Sequence, residues 1–211
     1  MNNAMKRLAL LIVASLMIFA YSYGQVSNEA EVVRMINQTA AKMKTMQCDF
    51  VQTKHIKLLN DKMTSKGKMY YQQSDKLRWE YVTPYQYTFI LNGTQVLLKN
   101  NGRCDVIDVQ QNKIFKEIAR LMMNSVVGKS LSDNRDFKST IAGNSTEWIA
   151  TLTPVRKDLK QMFQTIYLHF DKKALMVSKV ILIEKKGDKT IIELKNVRTN
   201  ETINKNMFSI R

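Results

Sequence analysis

Residues able to do covalent or acid–base chemistry are few in this chain, and their spacing does not bring them together. Asp105 and Asp108 stand three apart in a strand-like run, so they fall on opposite faces, the wrong arrangement for a cooperating carboxylate pair. The two histidines, His55 and His169, belong to no recognisable catalytic motif, and no G-x-S-x-G nucleophile turn occurs. Cys48 and Cys104 are the two cysteines, and with so few histidines beside them they make no metal-ligand cluster. In an oxidising compartment the two could pair in just one way; the alternative is two lone buried thiols. Gly128-Lys129-Ser130 has the end of a phosphate loop, but the glycine needed five residues earlier is Met123. The reading is therefore a protein that is not an enzyme and that carries neither cofactor nor metal.

What the residue types can do instead is bury apolar surface. From Gly67 to Gly93 the chain reads GKMYYQQSDKLRWEYVTPYQYTFILNG, with apolar and polar residues in alternation. Leu77, Trp79 and Tyr81 share one side while Lys76, Arg78 and Glu80 take the other, the period of two of a strand with one dry and one wet face. Tyr85, Tyr87, Phe89 and Leu91 repeat the pattern in the next strand, so neighbouring strands present a broad aromatic surface that something must cover.

The same stretch carries a resemblance. A glycine opening a strand, the aromatic pair Tyr70-Tyr71, a polar turn, L-R-W-E-Y at 77–81, a proline turn at Pro84 and the Asn92-Gly93 hairpin resemble the LolA family, the periplasmic carriers of bacterial outer-membrane lipoproteins. The similarity runs from Phe50-Val51-Gln52, which resembles the family's F-x-Q strand, to Phe208.

The beginning of the chain agrees with export. Lys6 and Arg7 precede thirteen largely apolar residues, Leu8 to Ala20, followed by Ser22 and Gly24 where small residues suit a cleavage. This reads as a signal peptide over residues 1–24, too short to span a membrane. It leaves 25–211 as one domain, long enough for a sizeable core. The residue after the cut is Gln25 and not cysteine, so no lipid anchor is expected. The leader holds two of the 33 basic residues and none of the 18 acids, which leaves a net charge of +13. Without a recognition motif in an exported chain, nucleic acid is a poor partner, and anionic head groups at a membrane surface are the natural counter-charge. The plainer alternative is that the lysines solvate the outer face of a sheet.

Taken in order, Ser27 to about Met46 has Val32, Met35, Ile36, Ala40 and Met43 on one helical face, with Asn28 and Glu31 as a capping box. Strands are expected at 48–57, 63–73, 76–81, 85–91, 94–99 and 103–109. Residues 113–127 are expected to form a helix, with Ile114, Ile118, Leu121 and Met122 on one face and Gly128 as its stop. Strands resume at 137–142, 147–153, 163–171, 175–184 and 190–198. About eleven strands with one apolar face are too many to stay flat, so the sheet must curl. The resemblance implies the same architecture: a mainly β fold, an incomplete antiparallel β-barrel whose concave apolar face is closed by helices.

The resemblance also implies the function, a chaperone that sequesters the acyl chains of lipoproteins and carries them from an inner-membrane exporter to an outer-membrane acceptor. On this basis Phe50, Met69, Leu77, Trp79, Tyr81 and Phe89 line the cavity, and Ile118, Leu121 and Met122 belong to a lid helix. A monomer and peripheral membrane contact are expected. Two departures stand out. Where family members place an arginine that latches the lid to the barrel, this chain has Gln73, a neutral amide that cannot make a charge-assisted, forked bond. Family members also usually continue a little beyond the point matching Arg211, and a role residing in such an extension is expected to be missing. Two other readings stay open on the same fold: a carrier of another amphiphile, such as a glycolipid, and a sensor or scaffold module that binds a protein.

Overall fold

The structure, a computed structural model, describes residues 29–73, 75–108, 131 and 135–210. The expected leader, Asn28 of the expected capping box and the expected helix at 113–127 lie outside the described residues. The chain divides into a unit Met1–Val32 and a unit Val33–Arg211, and the whole sheet belongs to the second.

Helix α1, Glu29–Lys42, opens with Glu29 and Glu31 and closes with Lys42, charges that complement the helix dipole. It ends sooner than the apolar spacing predicts, because Thr45 already pairs with Gln72 as the start of a strand. The strands are β1 (Thr45–Ile56), β2 (Asp61–Gln72), β3 (Lys76–Thr83), β4 (Tyr87–Asn92), β5 (Gln95–Asn100) and β6 (Arg103–Asp108). They continue with β7 (Phe137–Gly143), β8 (Glu147–Pro154), β9 (Phe163–Asp171), β10 (Val177–Glu184) and β11 (Lys189–Thr199). Every expected strand is present, within three residues at each end. Two short elements escaped the sequence pattern: helix α2, Lys157–Met162, and a 3-10 turn, Lys205–Phe208. Both are too short to show a periodicity.

All eleven strands join one antiparallel sheet in the order β6-β5-β4-β3-β2-β1-β11-β10-β9-β8-β7. The two ends of the order, β6 and β7, do not pair, so the sheet is open. Its one pairing that is remote in sequence is β1 with β11, where Phe50 faces Leu194 and Gln52 faces Ile192. The tight connections use the residues that tolerate positive φ: Gly93 at +61°, and Asn101 and Gly102 at +44° and +83°.

Register sorts the side chains into two faces. Cys48, Met69, Trp79 and Phe89 face one another in succession across β1, β2, β3 and β4, as do Met46, Tyr71, Leu77, Leu91 and Val96 across β1 to β5. These form one buried cluster with Phe50, closed at one end by Ala40 of α1 and by Met43. On the opposite face Ile90 and Leu97 are buried under Phe208, so the C-terminal segment makes a second, smaller core. Asn92 Nδ2 donates to the Phe208 carbonyl at 3.0 Å and fixes that segment.

Register also settles the cysteines. Cys48 lies on the inner face of β1, whereas Cys104, opposite Lys99 on the edge strand β6, is exposed on the other face. Five strand spacings, about 24 Å, separate the two strands, so a disulfide between them is ruled out and both thiols are free.

Candidate functional site, an apolar inner face with a polar end

The centre of the inner face is an aromatic stack. Phe50 lies on Trp79 with ring centroids 4.3 Å apart, although their strands are two apart in the sheet, roughly 9.5 Å on a flat one. Two features allow this. The curled sheet brings inner side chains together, and between the two strands stands Gly67, directly opposite Phe50. A Cβ there would meet Phe50 Cε1 at 2.6 Å and the Glu80 carbonyl oxygen closer still. The missing side chain of Gly67 is thus the space in which the Phe50 ring crosses β2. Tyr81 also meets the Phe50 ring, edge-on with centroids 5.2 Å apart.

All six residues expected to line a cavity therefore share one face. Phe50, Met69, Leu77, Trp79 and Phe89 are buried, and Tyr81 is half-buried against them. Ile118, Leu121 and Met122 lie outside the described residues. Sequence reasoning placed Leu91 on this face with Phe89 but missed Met46, Tyr71 and Val96, along with Ile192 and Leu194 of β11. Counting in twos along β1 from Phe50 finds Met46 and along β2 from Met69 finds Tyr71, while Val96 follows from its pairing with Leu91 across the Asn92-Gly93 hairpin. Nothing local could find the β11 residues, whose partners lie about 140 positions away in the chain.

Along the strands the inner face changes character. Towards α1 it is aliphatic, with Met46, Leu77 and Val96; towards the β1–β2 hairpin it turns polar. There Tyr81 Oη donates to Gln52 Oε1 at 2.9 Å, and Ser65 is buried on the neighbouring strand. Burial raises the hydroxyl pKa of Tyr81, and likewise of Tyr71 and Tyr87, which keeps all three neutral. At the rim Lys54 Nζ lies 3.0 Å from Glu184 and 3.8 Å from Asp188. The surface thus has a long apolar stretch and one hydrogen-bonding end, the shape of an amphiphile's own polarity.

Gln73 does make a tie, though a weak one. Its side-chain amide donates to the Ala41 carbonyl in the last turn of α1 at 3.4 Å, and its backbone N–H donates to the Lys44 carbonyl at 2.8 Å. The β2–β3 turn is in this way fastened to the end of α1.

The remaining candidates for chemistry stay apart. His55 is exposed near the end of β1, and β11 and β10 separate that strand from the strand of His169. His169 Nδ1 lies 3.1 Å from Glu147 Oε2 on the outer face. Asp105 and Asp108 face opposite sides of β6, as their spacing requires.

Comparison with known proteins agrees with this geometry. The family model described as "Outer membrane lipoprotein carrier protein LolA" matches residues 41–211. An outer-membrane lipoprotein carrier protein of Nitrosomonas europaea is 23% identical over 182 residues, 85% of this chain and 84% of that one. Among solved structures, an uncharacterized conserved protein from Thermus thermophilus superposes with a TM-score of 0.56 at 9% identity, covering 86% of this chain and 93% of its own. The MucA/MucB complex of Pseudomonas aeruginosa gives 0.54 at 10% identity. There 87% of this chain matches, and it spans 61% of the chain it matches.

Proposed function

Since the chain belongs to the LolA family of outer-membrane lipoprotein carriers, we propose that it is a periplasmic chaperone that takes lipoprotein acyl chains onto the inner face of its sheet. The observation that carries this reading is the unbroken apolar face across β5, β4, β3, β2, β1 and β11, polar at one end only. Carriers of this family are periplasmic.

The physical need is plain. Burying one methylene is worth roughly 0.8 kcal/mol, so a long acyl chain left in water costs on the order of 10 kcal/mol. A surface as apolar as a bilayer removes that cost while gaining little over the membrane, so cargo is both accepted and surrendered. Leu77, Trp79 and Phe89 supply the apolar contact, and Met43, Met46 and Met69 supply unbranched side chains that re-pack around a guest. Tyr81 and Gln52 meet the polar end of the cargo. An inner-membrane exporter as donor and an outer-membrane acceptor complete the cycle, with the carrier acting as a monomer.

The test is release. The exported protein is added to spheroplasts of its own host, and acylated lipoproteins are sought bound to it in the soluble fraction. Stoichiometric release that is lost in Leu77→Asp or Trp79→Asp, each checked to remain folded, is the expected result. Extraction of a different lipid would instead make it a carrier of another amphiphile. A second reading, in which the same face seats a protein, draws on the solved complex of MucB with MucA; it predicts a stable protein complex and no bound lipid.

A further inference from the structure

Eight large apolar side chains are exposed among the described residues, and seven of them lie at one end of the sheet. That end is set by topology: it holds the β1–β2 and β10–β11 hairpins, the β3–β4 turn and α2, and it is where the inner face turns polar. Val106, on the edge strand β6, is the exception.

The concentration is highest at the β1–β2 tip. Residues Lys57–Asn60 form a turn in which Asn60 donates to the Lys57 carbonyl and supplies the positive φ, at +49°. Its two central positions are Leu58 and Leu59, 92% and 66% exposed. A turn of this kind favours Asn, Asp, Gly, Pro or Ser at its centre, so the conformation gives no reason for leucine, and solvation opposes it. Met63 follows on β2, 47% exposed, and Met162 of α2 is 43% exposed on the same rim. Lys185 N–H donates to the Met162 carbonyl at 2.9 Å, which joins the β10–β11 hairpin to α2.

Around this apolar tip stands a basic collar. Lys57, Lys62, Lys185 and Lys186 are exposed and make no ion pair among the described residues. Lys54 is the one that is paired, with Glu184 and Asp188. Asp188 also accepts from the Lys57 backbone N–H at 3.0 Å, holding the two hairpins side by side. Among the acids of this rim, Asp61 accepts from the Lys62 backbone N–H at 2.7 Å, so it is engaged with the turn itself. Between the hairpins a groove of about 520 Å³ is lined by His55, Lys57 and Lys62.

We propose that this end of the sheet docks on an anionic lipid bilayer, with Leu58 and Leu59 inserted among the acyl chains and the lysine collar on the head groups. Charge complementarity selects the occupant. A narrow, two-residue apolar tip enters a fluid bilayer, where each leucine gains its full burial, and unpaired lysines on a chain of net +13 after the leader draw it to anionic lipid. The inference rests on the carrier reading for the reason a membrane is met at all, and it places the membrane at the polar end of the inner face.

The experiment is flotation of the exported protein with two kinds of vesicle at about 150 mM salt, the physiological screening regime: phosphatidylcholine with about a third phosphatidylglycerol, and phosphatidylcholine alone. Wild-type protein is expected to float with the anionic vesicles. L58S/L59S lowers the partition coefficient by roughly a hundredfold, since two leucine side chains stay in water. K57Q/K62Q lowers it several-fold per lysine on anionic vesicles only. Val106→Ser, which removes an exposed apolar side chain elsewhere, leaves it unchanged. Binding of a fluorescent fatty-acid analogue is measured on the same proteins. L58S/L59S should keep it, which separates the tip from the inner face. Wild-type protein that floats with neither vesicle, or L58S/L59S that floats like wild type or loses the analogue too, overturns the proposal. Flotation lost with the two leucines in a protein that never binds the analogue would leave docking standing and remove the carrier reading.

Discussion

Replacing Gly67 by alanine tests the centre of the inner face. The new methyl group would fall inside 3.0 Å of both the Phe50 ring and the Glu80 carbonyl oxygen, closer than real Cβ atoms come. The ring can swing aside; the carbonyl, in the β3 backbone, cannot move without disturbing the ladder to β2. Overpacking of this kind costs about 1–3 kcal/mol, and drawing Phe50 off Trp79 forfeits about 0.5–1.5 kcal/mol of stacking. Against this, Gly67 has no positive φ, so alanine recovers about 0.4–1 kcal/mol through the unfolded chain. The net expectation is a loss of about 2–3 kcal/mol, or about 4–12 °C in Tm for a chain of this size. Thermal unfolding followed by circular dichroism measures it, with Phe50→Leu as a second background. In that background the ring clash is relieved and Gly67→Ala should cost about 1 kcal/mol less, the signature of coupled neighbours. A cost below about 0.5 kcal/mol, or the same cost in both backgrounds, would refute the idea that Gly67 is the seat of the Phe50 ring.

Two further outcomes follow from the geometry. Gln73→Arg puts a charged, forked donor beside the Ala41 carbonyl at the C-terminal end of α1, where the helix dipole favours it; Tm should rise by a few degrees and cargo release should slow. An unchanged release rate would mean that this position is no latch. The second outcome concerns the thiols. Native protein should take up one equivalent of iodoacetamide at about pH 8, at Cys104, and none in Cys104→Ser, because burial pushes the Cys48 thiol up to about 12. Cys48 ionises near its ordinary 9.0 once unfolded but stays protonated in the fold, so stability is full below pH 9 and declines as pH rises towards 12. Buried Tyr71 and half-buried Tyr81 and Tyr87 add in the same sense above pH 10. The midpoint of unfolding, measured from about pH 8 to about pH 11, should fall less steeply in Cys48→Ala, and parallel curves would refute the assignment.

The alternation of residue types determined much of this protein by itself. Leu77, Trp79 and Tyr81 on one side and Arg78 and Glu80 on the other fix a strand and its buried face, because side chains alternate strictly along an extended chain. Asn101-Gly102 and Asn92-Gly93 fix where hairpins turn, because few residues accept positive φ. Five of the six proposed lining residues are legible in this way from β2, β3 and β4 alone.

Tertiary structure decided what no local pattern encodes, namely which strands meet and what stands across from what. The pairing of β1 with β11 adds Ile192 and Leu194 to the inner face, and the order of the sheet places Cys48 and Cys104 on opposite faces of distant strands. Gly67 reads in sequence as the opening of a strand, yet its work depends on a ring that reaches it from the neighbouring strand. The expected strands at 48–57 and 63–73 already leave Leu58 and Leu59 between them, but the register of β1 on β2, which pairs Ile56 with Asp61, is what makes that connection a tight turn with both leucines at its tip in solvent. A period of two says which residues share a side, while burial depends on the neighbours that folding brings to that side.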